Sequence, residues 1–284
     1  MPKIAIVTDS TCDLSEAARQ RYVAAMVPLH VTVGGVSYLD RVDLDEDAFY
    51  RLFAESGQLA QSSQPSVGEF SSVYERLLKD NDAVVSVHIA NRLSGAVQSA
   101  YLAAETVDPA RIRVIDSCKV SVGVGLVLQA AGEAIEAGND LDQVVAATEA
   151  AVRDTRVYST IQSLDAAVRG GRLNLHAARL ANLADLKPLV VFDDEGGVQT
   201  DGARIGFQRA LRAVAERVER YAAGSPVRMA ISHANGPEGA EYLKERLLSL
   251  FAGLDIPVVK AGAVITTHVG LGTVAVAVER RGER

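Results

Sequence analysis

The stretch Gln61-Ser62-Ser63-Gln64-Pro65-Ser66 sets three hydroxyls and a proline ahead of a periodic segment that opens at Val67, with no lysine or arginine among them. Hydroxyls at a helix start either accept from the free backbone N–H groups of the first turn or donate to an anion that the helix dipole favours there. Ser66 with Glu69, and Asp13 with Glu16, have the spacing of a capping box, so these four residues are expected to cap. Ser62 and Ser63 lie ahead of that cap, and Ser94 is one of several polar residues in Asn91-Arg92-Leu93-Ser94. Composition leaves these three open between a local turn bond and a bond to a ligand.

More hydroxyls and acids gather where predicted strands end: Asp9, Ser10 and Thr11 after one, Asp116 and Ser117 after another. An open parallel sheet binds its ligands in the crevice beyond such carboxyl ends. Of the five histidines, His30 and His88 fall inside apolar runs and read as core residues, whereas His176 and His233 carry no pattern. His268 stands between two threonines and two glycines in Thr266-Thr267-His268-Val269-Gly270-Leu271-Gly272, which reads as a loop where backbone can approach a ligand closely.

Several chemistries lack their sequence signatures. The turn after the first strand contains no glycine, and neither G-x-G-x-x-G there nor G-x-x-x-x-G-K-[ST] anywhere is present, so a self-contained dinucleotide or nucleoside triphosphate site is disfavoured. Ser94 lacks the glycine frame of a nucleophile elbow and there is no S-x-x-K; a hydrolase or acyl transferase using Ser94 and His268 stays as the alternative. Cys12 and Cys118 are isolated, which argues against a disulfide framework or a zinc site, and no metal is expected. Twenty-nine basic against 36 acidic residues give a net charge of -7 without a basic stripe, so nucleic acid is not an expected partner. No signal-peptide h-region or apolar run of membrane-spanning length is evident, so a cytoplasmic protein without stable membrane insertion is expected.

The elements that must position these residues follow from periodicity. Apolar β-rich runs at Lys3-Ile4-Ala5-Ile6-Val7, Asp82-Ala83-Val84-Val85-Ser86-Val87 and Arg111-Ile112-Arg113-Val114-Ile115 alternate with helical patterns, which predicts a largely parallel sheet flanked by helices. Two extended pieces join through Gly34-Gly35, and a helical stretch from about Val120 to Val152 breaks at Gly138 and restarts at the Asp140 cap. The pattern changes near Arg153. Beyond it come a strand, a hairpin around Glu195-Gly196-Gly197, two helices and extended pieces that include Ile256-Pro257-Val258-Val259-Lys260-Ala261-Gly262-Ala263-Val264-Ile265. The expected division is an α/β domain over 1–153 and a second α/β domain with a mixed sheet over 154–284. With 284 residues, 48% of them hydrophobic, the chain can fill two such cores.

As a set and in order, "IVTDSTCDL", "SSQPSVGEF", "LSG" at Ser94, "DSCKVSVGVG", "RGGRLN" and "THVGLG" resemble the DegV family. The resemblance covers essentially the whole chain. It implies two α/β domains that enclose one long-chain fatty acid, such as palmitate, and no other cofactor. It also implies the FakB role, a carrier that is not itself an enzyme and presents the acid to a separate ATP-dependent fatty acid kinase for acyl phosphate formation in phospholipid synthesis. Ser62 and Ser94 match the family's carboxylate-binding hydroxyls, with Ser63 beside them, and His268 matches its head-group histidine. Arg172 matches the arginine of the "GGR" turn, as support for the site or as a kinase contact, and Arg204, in a predicted loop after the hairpin, matches a kinase contact. Ser62, Ala96 and Leu271 stand where the family often has threonine, threonine and proline.

Overall fold

The computed structural model describes residues 2–56, 60–162 and 185–282. In chain order the first half supplies β1 (Ile4–Asp9), α1 (Glu16–Tyr22), β2 (Ala25–Val27), β3 (His30–Val33), β4 (Val36–Leu39), α2 (Glu46–Ser56), β5 (Gln61–Ser63) and α3 (Val67–Leu77). It continues through β6 (Ala83–His88), α4 (Ala96–Val107), β7 (Ile112–Asp116), α5 (Val122–Glu136) and α6 (Leu141–Asp154). The rest supplies β8 (Thr155–Thr160), β9 (Leu186–Phe192), β10 (Val198–Ile205), α7 (Phe207–Ala222), β11 (Val227–His233), α8 (Pro237–Leu250), β12 (Val258–Lys260), α9 (Ala263–Val269) and β13 (Val274–Arg280).

The described residues form three sheets. The first is parallel throughout, in the order β2-β1-β6-β7, and every residue of β1 and β6 is buried, as strands covered on both faces must be. The second has the order β10-β9-β8-β13-β11-β12; its pairs are antiparallel except β11 with β12, so it is the mixed sheet that the hairpin pattern predicts. A small antiparallel sheet, β4-β3-β5, stands apart and carries Ser62 on its edge.

Helix α5 lies between the two large sheets and touches β1 and β6 on one side and β8, β11 and β13 on the other. A helix in that place must be apolar on all faces, and Val122-Gly123-Val124-Gly125-Leu126-Val127-Leu128 is buried without interruption. Its glycines allow close approach: a Cβ at Gly132 would lie 2.1 Å from a Tyr22 ring carbon, and one at Gly125 3.0 Å from the Asp13 carbonyl oxygen. One shared core cluster joins Ile89, Ala96 and Leu126 to Val157, Ala230 and Ala277, so the halves of the chain pack directly on each other. Among the described residues, no helix is long and apolar enough to cross a membrane.

Local signals hold where the chain acts locally. Ser66 and Glu69 form the expected capping box, with the Glu69 N–H donating to Ser66 Oγ at 3.2 Å and the Ser66 N–H donating to Glu69 Oε2 at 2.7 Å. Asp140 and Gln143 form another at the start of α6. The Asp13–Glu16 box is not formed. Helix α1 begins later, capped by Ser15, whose Oγ accepts from the Ala18 N–H at 3.3 Å, while Glu16 turns to Arg19 and Gln20. Asp13 is buried and accepts bonds from Arg41, Ser121 and the Gly262 N–H. Two further expectations are corrected: the extended piece from Ile256 ends at Lys260 and gives way to α9, and Arg204 lies within strand β10 instead of in a loop.

This difference in role has a measurable size. Ser15→Ala and Ser66→Ala are each expected to cost ~1 kcal/mol, the worth of a helix cap. Asp13→Ala is expected to cost about 3 to 5 kcal/mol, because it leaves the Arg41 charge buried without its nearest partner. Urea unfolding of the three variants compares them directly, and an Asp13→Ala loss no larger than the cap variants would refute the buried role.

Candidate functional site

An open cavity, about 820 Å³ when the solvent space at its mouth is included, lies between the small sheet, the first-sheet strand ends and the second sheet. Its wall is mostly aliphatic, with Leu29, Ile89, Val190, Val264 and Ile265 among the lining side chains and Phe192 as its aromatic residue. An adjoining lobe shares Val120, Phe192 and Ile265 and extends the space toward Ser121 at the start of α5. The polar lining consists of Ser62, Gln64, Ser94, Ser159 and His268; no Asp, Glu, Lys or Arg among the described residues faces it.

Ser62 is the middle residue of β5, paired with Val31 on β3. Side chains alternate along a strand, so Ser62 turns inward and is half-buried while Gln61 and Ser63 are exposed. Ser63 is therefore on the opposite face and does not line the cavity, contrary to its expected place beside Ser62. Ser62 Oγ lies 2.7 Å from His268 Nε2, a hydrogen bond across 206 residues of chain.

His268 sits in the last turn of α9, a helix rather than the expected loop. The helix is held at its other end: the Gly262 N–H donates to Asp13 Oδ1 and the Ala263 N–H to Asp40 Oδ1, each at 3.1 Å. Arg41 lies between these acids, bonded to Asp13 and to Glu46 at 3.0 Å. Desolvation works against the Arg41 charge, but Asp13, Asp40 and Glu46 outweigh it and raise its pKa. Asp40 is less well served. Its carboxyl is buried, and although Arg41, the Ser10 hydroxyl and the Ala263 N–H favour its charge, burial outweighs them and pushes it up to about 6 from an ordinary 3.8.

Ser94 comes from the loop between β6 and α4, where its Oγ accepts from the Ala96 N–H at 3.3 Å and keeps its own proton available to donate. The strand end that delivers it is fixed by Asp9, which accepts from the Ile89 N–H at 3.1 Å and bonds His88 Nδ1 at 3.0 Å. His88 Nε2 continues to Ser86 at 2.7 Å and Ser86 to Tyr74 at 2.8 Å, all of it buried. Burial works to raise the Asp9 carboxyl, but the bonds from His88, Thr11 and Ile89 outweigh it and leave it below its ordinary value. His88 is thus a satisfied core residue, as its apolar run suggests.

Ser62, Ser94 and His268 therefore reach one cavity, although they come from a strand, a loop and a helix of different parts of the chain. Arg204 does not reach it; it is exposed on β10 with its Nη1 donating to the Ala203 carbonyl at 2.9 Å. Arg172 lies outside the described residues. Gln64 is a lining residue that the sequence reading overlooks. His268 Nε2 bonds Ser62, and Ser94 lines the same cavity. Three hydroxyls, an imidazole and an amide at a mostly apolar cavity, without a charged side chain among the described residues, suit a ligand with one small polar head and a long apolar body.

Comparison with known proteins agrees in fold. A family model described as "Uncharacterised protein, DegV family" matches residues 3–281, and the chain belongs to the DegV family. A DegV domain-containing protein of Mycobacterium bovis is 33% identical over 279 residues, covering 97% of each chain. A DegV family protein from Thermus thermophilus, described by its fatty acid binding, is similar with a TM-score of 0.90 and 33% identity over 98% of this chain and 100% of that one. DegV from Bacillus subtilis, described as a fatty acid binding protein, is similar with a TM-score of 0.89 and 29% identity over 99% of this chain and 100% of that one.

The seat of α9 should be sensitive to pH. The folded Asp40 value of about 6 lies above 3.8, so its contribution to stability is full below 3.8 and is lost as pH rises through about 6. A shift of that size corresponds to on the order of 3 kcal/mol. In Asp40→Asn this part of the pH dependence is expected to vanish. Unfolding free energies measured from about pH 4 to about pH 7 test it, and an unchanged slope in the variant would exclude Asp40 as its source.

Proposed function

We propose that this chain binds one long-chain fatty acid, with the acyl chain in the apolar cavity and the carboxylate among Ser62, Ser94 and His268. The observation that carries this reading is the Ser62–His268 hydrogen bond at a mostly aliphatic wall that has no charged side chain among the described residues. With His268 Nε2–H donating to Ser62 Oγ, the Ser62 and Ser94 hydroxyls are each free to donate to a carboxylate, and bonds to a charged group are the strong ones. The fatty acid binding described for the Thermus and Bacillus relatives supports the same ligand class.

Magnitudes favour the tail as the main source of affinity. At ~0.8 kcal/mol per buried methylene, a chain of about fourteen contributes on the order of 11 kcal/mol before ordering costs. A hydrogen bond to a charged group adds roughly 1.5 to 3 kcal/mol, so the head group chiefly sets orientation. In the same reading residues 1–153 and 154–284 are the two domains that enclose the ligand. The chain acts without catalysis of its own, in the cytoplasm, as the carrier for a separate ATP-dependent fatty acid kinase. The exposed Arg204 is then a candidate contact for that partner, as is Arg172 by resemblance.

Ser62→Ala and Ser94→Ala are each expected to weaken palmitate binding roughly tenfold to a hundredfold. The corresponding fatty alcohol, which lacks the charge, should lose much less on the same substitutions. Titration calorimetry measures both. If the variants keep full palmitate affinity, the carboxylate is held elsewhere. In a coupled assay with a fatty acid kinase, Arg204→Ala should slow acyl phosphate formation while leaving palmitate affinity unchanged; equal turnover would remove Arg204 from the interface.

A further inference from the structure

We propose that the Gln64 side chain is a latch over the polar end of the cavity, seated on Gly95, and that it sets how fast the ligand leaves. This rests on the fatty acid reading of the same cavity and adds a residue that governs ligand exchange.

The position of the glycine is the first sign. Gly95 is the N-cap of α4 with φ -73° and ψ 10°, backbone that residues with a Cβ also adopt, and it makes no side-chain cap bond. A serine, threonine, aspartate or asparagine there would serve the helix better. What a side chain there would have to displace is one neighbour. A Cβ built at Gly95 would lie 2.4 Å from Gln64 Nε2 and 2.8 Å from Gln64 Cδ, so the Gln64 amide occupies the room that the missing side chain leaves.

The place of Gln64 in the chain is the second sign. It follows the last residue of β5 and precedes the buried Pro65, so the backbone at this point is held between a sheet edge and a proline. The residue is exposed, yet it lines the cavity together with Ser62 and Ser94. A side chain that meets both solvent and cavity forms the boundary between them. The Gln64 amide, on the segment that carries Ser62, packs over Gly95 in the loop that carries Ser94, at the edge of the cavity that both serines line. The Ser62–His268 pair is fixed by its bond, whereas the glutamine has three side-chain torsions and can swing off the flat surface of Gly95 without disturbing either serine. Seated, it covers the head group and its amide N–H can donate to it. Swung out, it opens the way to the carboxylate.

Release of cis-parinaric acid into excess palmitate, followed by stopped-flow fluorescence, tests this with wild type, Gln64→Ala, Gly95→Ala and the double variant. Gln64→Ala and Gly95→Ala are each expected to speed release by on the order of tenfold, the effect of one lost hydrogen bond. The double variant should release no faster than Gln64→Ala, because a methyl at position 95 acts only by displacing the amide. Equal release rates in wild type and Gln64→Ala, or a Gly95→Ala effect that persists in full when Gln64 is already alanine, would overturn the latch while leaving the binding site standing. Failure of the wild type itself to bind cis-parinaric acid or palmitate would overturn the fatty acid reading, and the latch with it.

Discussion

Arg41 is held almost out of water between Asp13, Asp40 and Glu46, and the placement of the site helix depends on that arrangement. Helix α9 has seven residues, too few to be stable alone, and its first N–H groups would be a liability inside the protein. Two buried carboxylates take them, and the Arg41 charge makes it tolerable to bury those carboxylates side by side. The arginine adopts φ 64° to do so, a conformation that a side chain disfavours. Asp13 also binds Ser121 at the start of α5, and Ser121 pairs with Ser232 on β11 at 2.8 Å. One polar cluster therefore ties the first sheet's loops, the central helix and the second sheet to the same end of α9. The opposite end is where His268 meets Ser62.

This arrangement separates two electrostatic tasks. The buried cation serves the scaffold, and among the described residues none faces the cavity. In the proposed function a carboxylate then meets, among the described residues, hydroxyl and amide donors, with the His268 ring behind Ser62. An arginine fork would bind it more tightly and would cover its oxygens. Neutral donors orient the head group and leave affinity to the tail, whose burial scales with its length.

The parts of the structure that are legible in the sequence are those decided within a few residues. Strand runs such as Ile4–Asp9, the Ser66 and Asp140 caps and the Gly138 stop follow from periodicity and turn chemistry, and the structure has them. Asp13 has the same local pattern as Ser66 and the opposite fate. Its partners lie 28, 108 and 249 residues away, and no local spacing encodes them. The β-branched run at Val264-Ile265-Thr266-Thr267 suits an extended piece, yet it is helical because two distant carboxylates fix its start. Ser62 and Ser63 are indistinguishable by type. Only the pairing of a three-residue strand with β3 decides which of them turns inward.

The functional residues therefore sit on the elements with the least structure of their own. Strand β5 has three residues at a sheet edge and α9 has seven, and neither would persist without tertiary contacts. Scaffold strands such as β1 and β6 are buried at every position and belong to the part of the molecule that opens last. A site made from the first kind of element and anchored on the second can move locally without loosening the fold. The Ser62–His268 bond joins β5 to α9, so whatever strains one element is felt by the other. A head group bound at that bond would brace two marginal elements at once, which couples occupancy of the cavity to the order of the surface around its mouth.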